Sequence, residues 1–361
     1  MRFRKLRIAV FGLGGFWNVN KDKLRLYFNV VACSDNHAVP SEQWWRERFV
    51  HPDELVNIDF DYVLICTKDP IPEIRDQLEG YGIKAVIVSS PFTESLINVQ
   101  PWLSNTCVGQ QLEDRIYVIG DSHTHFFSGG NEFLCNALPF IPGVCVPYSY
   151  FENVTIFHIG PCLAYNIGKY NTSSRGREKI DLLRAMGLLP KGARVVCCFG
   201  EIDIRVYLLK QAEKLGIGYR EEADMIVDEY VAYLMELSND YDVYAWGPVA
   251  QTSGEGYGDQ NYPIFGSEKD RNMATECFNS RLSEICRQHG IGFVSIFDRL
   301  IDEEYLTRNE YFRDPVHLNS SAWRFAKSRL TSEGLFPRWR DEDKNGMAYT
   351  QWNIAGDPHE E

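Results

Sequence analysis

The sequence predicts an α/β protein built on two parallel sheets in tandem, and three observations carry that expectation. Short β-branched runs alternate with helix-spaced stretches in both halves of the chain. Most of these runs stop at a glycine or a small polar turn, as strands do where loops leave the edge of a sheet. With 361 residues, the chain is also long enough to fill two cores.

The first series comprises RIAVFG, NVVACSD, DYVLICT and IKAVIV, between about Lys5 and Val88. After its third run, Ile71 to Tyr81 carries apolar residues at helical spacing and meets Gly82, which predicts a crossover helix with a glycine stop. Residues from Ser89 to Asp114 include Pro91, Pro101 and polar turns, which places a domain boundary there. The expected units are 1–110, 111–336 and a polar acidic tail over 337–361.

The second series is RIYVIGDS, VTIFHIG, ARVVCCFG, DVYAWG and GFVSIF, longer apolar runs that suit a doubly covered parallel sheet. Helices are expected over Glu221 to Leu237, Asp270 to His289 and Ser320 to Leu330. In the first of them Ala223, Ile226, Val227, Tyr230, Leu234 and Leu237 form a core-facing stripe. The segment Gln251 to Ser267, rich in Gly, Tyr and Asn, reads as a lid or as disorder.

Composition excludes several classes of function. The excess of 50 Asp and Glu over 37 Lys and Arg gives a net charge of −13, the wrong sign for neutralising a nucleic-acid backbone. No run of eighteen apolar residues is present, so no membrane span is expected. The ten cysteines are scattered without a CxxC pair, which reads as free buried thiols in a reducing cytoplasm. No metal site is expected, because His123 and His125, two apart, lack a further clustered ligand. His158, on an apolar run, reads as a core histidine.

Chemistry concentrates where the second series of strands ends. The first run stops at Gly120-Asp121-Ser122-His123, the third at Gly200-Glu201-Ile202-Asp203-Ile204-Arg205, and Asp314-Pro315-Val316-His317 follows the fifth. Parallel strands deliver their C-terminal ends to one edge, so these segments can share a pocket. A serine hydroxyl needs an imidazole to take its proton, and the imidazole needs a carboxylate to fix its tautomer. Ser122, His317 and Asp314 supply one of each.

This order of segments resembles the SGNH (GDSL-like) hydrolase superfamily over about Arg115 to Leu330. The resemblance implies a flavodoxin-like three-layer α/β/α sandwich, with Ser122 as nucleophile and Asp314 and His317 completing a triad. It also implies an oxyanion site made by the backbone N–H groups of Ser122 and Gly160. The third block departs from the family pattern, since Ile202 stands where an asparagine donor is usual. Losing one such donor costs roughly a hundred- to a thousandfold in rate. Arg205 is the nearest replacement for holding an oxyanion or an anionic substrate. Glu201 and Asp203 either hold Arg205 or bind sugar hydroxyls, and Asp121 and His123 flank the nucleophile as substrate contacts. Tyr165, Tyr170, Tyr257 and Tyr262 either stack on a sugar ring or pack.

In the first domain, FGLGG follows a strand and Asp35 ends the next one, the spacing of a phosphate-binding glycine loop and a ribose-binding acid. Gly12, Gly14, Gly15 and Asp35 are the candidate nucleotide-binding residues, although Trp17 occupies the third glycine position. The segment from Leu6 to Val88 resembles the small Rossmann-like domains of bacterial glycan-biosynthesis proteins, sugar-modifying acetyltransferases among them. That resemblance implies a nucleotide-sugar site or a scaffold.

Together these readings predict a cytoplasmic acyl-ester hydrolase or O-acetyltransferase acting on a carbohydrate or a nucleotide-linked sugar. Hydrolysis by such a triad requires no cofactor; the partners expected are a small-molecule or glycan substrate and an acyl donor or nucleotide sugar. Two alternatives differ in class: a non-catalytic sugar-binding protein, and a glycan transferase centred on Glu201, Asp203 and Arg205.

Overall fold

The computed structural model describes residues 7–37, 48–60, 62–66, 72–83, 87–88, 114–132, 135–138, 141, 143–185 and 187–339. The chain divides into two compact units. One comprises Met1–Gln110 with Ala137–Gly143 and Glu178–Pro190, and the other comprises the remaining residues. The α/β class with parallel sheets is what both units display.

The first unit carries β1 (Arg7–Phe11), α1 (Gly15–Tyr27), β2 (Asn29–Ser34), β3 (Arg48–Phe49), β4 (Tyr62–Ile65), α2 (Pro72–Gly80) and β5 (Ile87–Val88). Its strands lie in the order β3-β2-β1-β4-β5, all parallel, the order of a dinucleotide-fold half. Ala9, Phe11, Val63 and Ile65 pack with Leu55 and Leu78 into one core. The expected crossover helix is α2, followed by Gly82 at φ +78°. Of the fourth run, IKAVIV, residues 84–86 lie outside the described residues.

The second unit carries β6 (Ile116–Gly120), β7 (Cys135–Ala137, whose last residue falls in the other unit), β8 (Cys145–Pro147) and β9 (Val154–His158). Next come α3 (Gly176–Ala185), which begins in this unit and ends in the other, and β10 (Arg194–Cys198). The remainder is α4 (Leu209–Leu215), α5 (Tyr219–Ser238), β11 (Asp242–Trp246), α6 (Glu268–Gln288), β12 (Gly292–Val294), α7 (Phe297–Leu300) and α8 (Trp323–Ser332). The sheet order is β12-β11-β10-β6-β9-β8-β7. Counting only the five parallel strands from β6, this is the flavodoxin order 2-1-3-4-5, with the direction of winding reversing between β6 and β10.

Three features depart from the sequence expectation. The second sheet gains short edge strands, and β8 runs antiparallel to β9; three-residue strands carry too little periodicity to stand out. The polar tail expected from Pro337 is packed at its start, where the Trp339 ring lies 4.4 Å from the Phe151 ring at a tilt of 46° and Arg338 pairs with Glu152 and Asp114. Cys145 is disulfide-bonded, against the expectation of free thiols throughout, whereas seven other described cysteines are free. Pairing depends on which residues the fold brings together, and cysteine spacing along the chain does not encode that. Among the described residues no helix is long and apolar enough to cross a membrane.

The long segment after β11 is built into the second unit. Gln251 and Thr252 are buried, the Thr252 carbonyl accepts from Arg271 at 2.6 Å, and Gln251 N–H donates to Asn272 at 2.7 Å.

Candidate active site

The site forms where β6, β9 and β10 end. Gly120 is required there by space: a Cβ would lie 2.1 Å from the Cys198 carbonyl oxygen on the neighbouring strand. Asp121 then caps a 3₁₀ turn over Ser122–Ser128 by accepting from the His123 N–H at 2.9 Å. This sharp exit leaves Ser122 half-buried at the first position of the turn, where its backbone N–H has no acceptor within the turn.

Ser122 Oγ lies 2.8 Å from His317 Nε2. His317 Nδ1 lies 2.8 Å from Asp314 Oδ2 and 3.0 Å from Oδ1. Asp314 also accepts from the backbone N–H groups of Val316 and His317 at 2.9 and 2.8 Å, which folds the loop tightly enough to aim the imidazole at the serine. Burial alone raises the Asp314 carboxyl, but the His317 hydrogen bond and charge and the two N–H donors outweigh it. The carboxyl is held well below the usual carboxylate range. Three residues separated by up to 195 positions thus form one hydrogen-bonded line.

Gly160, just past β9, is buried with φ +84°, a left-handed conformation that favours glycine. Ile202 is buried at 4% exposure and brings no donor. The cleft beside the serine is lined by Ser122, His123, His125, Trp246, Arg313 and His317 among others. His125 is driven down to about 2 by burial, with His158, Arg313, His317 and His123 adding to the effect, so it stays neutral there.

The structure gives most of the other candidate residues protein partners. Arg205 Nε lies 2.6 Å from Glu201 Oε1, and its guanidinium also donates to the Tyr262 carbonyl at 2.9 Å and to the Tyr257 hydroxyl. The Tyr257 ring sits 5.0 Å from the guanidinium carbon. Arg205 therefore anchors the segment after β11, and its donors face these partners in place of a substrate anion. Asp203 lies in a π-helical stretch, Asp203–Leu208, and accepts from the N–H groups of Ala164 and Tyr165 at 2.7 and 3.1 Å. Burial pushes its carboxyl up to about 7 against those bonds. Asp203 thus fixes the loop after Gly160. Tyr165 is 43% exposed and carries Lys169 3.9 Å over its ring, while Tyr170 packs with Arg177.

His123 lies behind the serine with Asp121 Oδ1 3.0 Å from Nδ1 and the Val316 carbonyl 3.3 Å from Nε2. The Val316 contact was not legible in the sequence, since it joins the first and last blocks of the unit. The Glu201–Arg205 pair was, because i and i+4 on one helix are neighbours. His158 contacts the Cys145 sulfur at 3.2 Å and the His125 ring at 4.9 Å, a half-buried group at the sheet's end and not a core one.

In the first unit, a cleft of about 930 Å³ opens beyond β1 and β2, lined among others by Gly12, Gly14, Gly15, Asp35, Asn36 and Gln77. Gly12 has φ +94°, and nothing lies within 4 Å of where a Cβ would stand on Gly14 or Gly15. The Asp35 carboxylate accepts from the Leu13 and His37 N–H groups, each at 2.7 Å, and so shapes the glycine loop itself. Among the described residues no group of three His, Cys, Asp or Glu side chains is placed to hold a metal ion.

No protein-family model matches the chain, and no curated protein matches it. Among solved structures the chain is similar to a GDSL-like lipase from Bacteroides thetaiotaomicron, at 15% identity and TM-score 0.39, over 67% of this chain and 93% of that one. It is similar to phospholipase A1 from Streptomyces albidoflavus at 9% identity and TM-score 0.35, over 61% and 98% of the two chains. A member of the lipolytic G-D-S-L family from Veillonella parvula matches at 14% identity and TM-score 0.33, over 60% and 96%.

Proposed function

We propose that the second unit is a serine acyl-ester hydrolase or acyltransferase, with Ser122 as nucleophile, His317 as general base and Asp314 as its orienting carboxylate. One observation carries this reading: the unbroken line from Ser122 Oγ through His317 to Asp314, with both links at 2.8 Å. Ser122 Oγ attacks the acyl carbonyl while its proton passes to His317 Nε2, and Asp314 stabilises the imidazolium that forms. The tetrahedral oxyanion is received by the N–H groups of Ser122 and Gly160. Collapse expels the alcohol, which takes the proton from His317, and leaves an acyl-enzyme. Water or a sugar hydroxyl then takes the acyl group through the same parts run in reverse.

The natural ester in this reading is borne by a carbohydrate. Release of acetate from p-nitrophenyl acetate tests the chemistry, and release from acetylated glycans compared with glycerides tests the substrate class. Turnover lost in Ser122→Ala with the fold retained supports the assignment, whereas a Ser122→Ala variant as active as the parent removes it.

A second reading concerns the first unit, where the 930 Å³ cleft beside the glycine loop is of a size for a nucleotide sugar. Because Asp35 is engaged by the loop and the Asn36 and Gln77 amides bond each other, ligand affinity there rests on backbone N–H groups. A thermal shift with uridine diphosphate sugars that disappears in a Gly14→Asp variant supports it; no shift at millimolar ligand removes it.

A further inference from the structure

We infer that His123 is a doubly protonated positioning residue, an imidazolium sealed behind the nucleophile that ties the end of β6 to the loop carrying Asp314 and His317. The inference rests on the triad reading for its catalytic consequence, but the protonation state stands on contacts and local charge, independently of that reading.

Each ring nitrogen of His123 faces a group that accepts. Nδ1 lies 3.0 Å from Asp121 Oδ1, and Nε2 lies 3.3 Å from the Val316 carbonyl and 3.8 Å from Glu201 Oε2. A carbonyl and an ionised carboxylate cannot donate, so a neutral imidazole would leave one of its nitrogens against an acceptor with no proton between them. With Asp121 ionised, the imidazolium alone satisfies both sides. The ring is 7% exposed and Asp121 is 1% exposed.

Charge leads to the same state. Asp121 and Glu201 are both buried, and Arg205, bound to Glu201, neutralises one of them. Asp121 Oδ2 has no hydrogen-bond partner among the described residues. A buried carboxylate without a counter-charge is strongly disfavoured, and the nearest group able to supply one is His123. With both carboxylates ionised and Arg205 charged, the cluster of Asp121, Glu201, Arg205 and His123 is neutral only when His123 carries its proton. The other groups facing it are His125, His317 and Cys198; His125 is neutral, and burial holds the Cys198 thiol protonated. Burial lowers the His123 pKa, but Glu201 and Asp121 raise it further than burial and Arg205 depress it, and the net shift is upward.

The consequence for the reaction lies in Val316. Its carbonyl belongs to the turn whose N–H groups and side chains set the Asp314–His317 pair, and His123 holds it from 193 residues away. Without that hold, the imidazole of His317 loses one of the contacts that keep it 2.8 Å from Ser122. A displacement of about 1 Å at a reacting group costs on the order of a hundredfold in rate.

The test is ¹⁵N NMR of histidine-labelled full-length protein at a pH about one unit above the ordinary histidine pKa of about 6.5, where a free imidazole is mostly neutral. His123 is assigned by the signal lost in His123→Gln. Both ring nitrogens are expected at imidazolium shifts; a neutral tautomer overturns the inference whether or not the protein hydrolyses esters. With p-nitrophenyl acetate, His123→Gln is expected to lower kcat by about ten- to a hundredfold with KM within about twofold. A kcat within twofold of the parent overturns the positioning role while leaving the triad intact. A parent protein with no turnover defeats the triad reading, and the positioning role with it, while the NMR result still decides the protonation state.

Discussion

The two units share one architecture and use its working edge in opposite ways. Each has a run of parallel strands whose ends open at one edge of the sheet, and in each a glycine-bearing turn follows the first strand. In the first unit the turn is bare: Gly14 and Gly15 face open space, and the Asp35 carboxylate is consumed in shaping the loop. In the second unit the turn presents Ser122, and the surrounding charged side chains are locked to one another before any ligand arrives. A bare backbone edge suits binding by shape and N–H groups, whereas a prearranged set of side chains suits moving protons and acyl groups. The difference lies in side chains and not in topology, so it can be tested residue by residue.

The largest effect is expected at the nucleophile. Ser122→Ala should lower kcat/KM for an activated acetyl ester by about 10⁴-fold or more while circular dichroism and melting stay unchanged. Asp314→Asn should follow, at about 10²- to 10⁴-fold, because the amide no longer fixes the His317 tautomer. Comparable losses from Gly14→Ala in the first unit would break the contrast between the two edges.

Next comes stability. Glu201→Gln leaves Arg205 buried without its counter-charge, and chemical denaturation should show a loss of about 3 to 5 kcal/mol. Gly12→Ala, forced into a left-handed conformation, should cost about 1 to 2 kcal/mol, and Gly14→Ala, with open space around it, close to nothing. A large cost at Gly14 would mean that the glycine loop is packed and not open.

The pH dependence sharpens the comparison most finely, because two groups at the second edge act with opposite signs. Asp314 is depressed in the folded state, so its contribution is present above about pH 3.9 and lost as pH falls through the lowered value. His123 is raised, so its contribution is fully present below about pH 6.5 and lost as pH rises through the raised value. In melts across about pH 3 to 9, the gap between parent and Asp314→Asn should begin to narrow only at the acid end, and the gap to His123→Gln should shrink on the alkaline side.

Much of the fold was legible because apolar runs ending in glycine mark parallel strands, and the helices α2, α5, α6 and α8 follow their periodicity. The Ser122, His317 and Asp314 segments were legible because proton transfer demands those residue types and parallel strand ends converge. Roles set by tertiary partners were not. Arg205 and Asp203 look like ligand-binding residues in sequence, yet their partners, the Tyr262 carbonyl and the Ala164 N–H, are backbone groups about 40 to 60 residues away that carry no residue-type signal. The same holds for His123 and Val316, and for Asp35, whose partner is the backbone of Leu13.

The central claim is that Ser122 is activated by its neighbours, and covalent labelling tests it most directly. A fluorophosphonate probe incubated with the full chain, read by intact mass and peptide mapping, should add one phosphonyl group on Ser122 in the parent and none in Ser122→Ala. A parent that takes up no probe, or an adduct that persists in Ser122→Ala, would contradict the account.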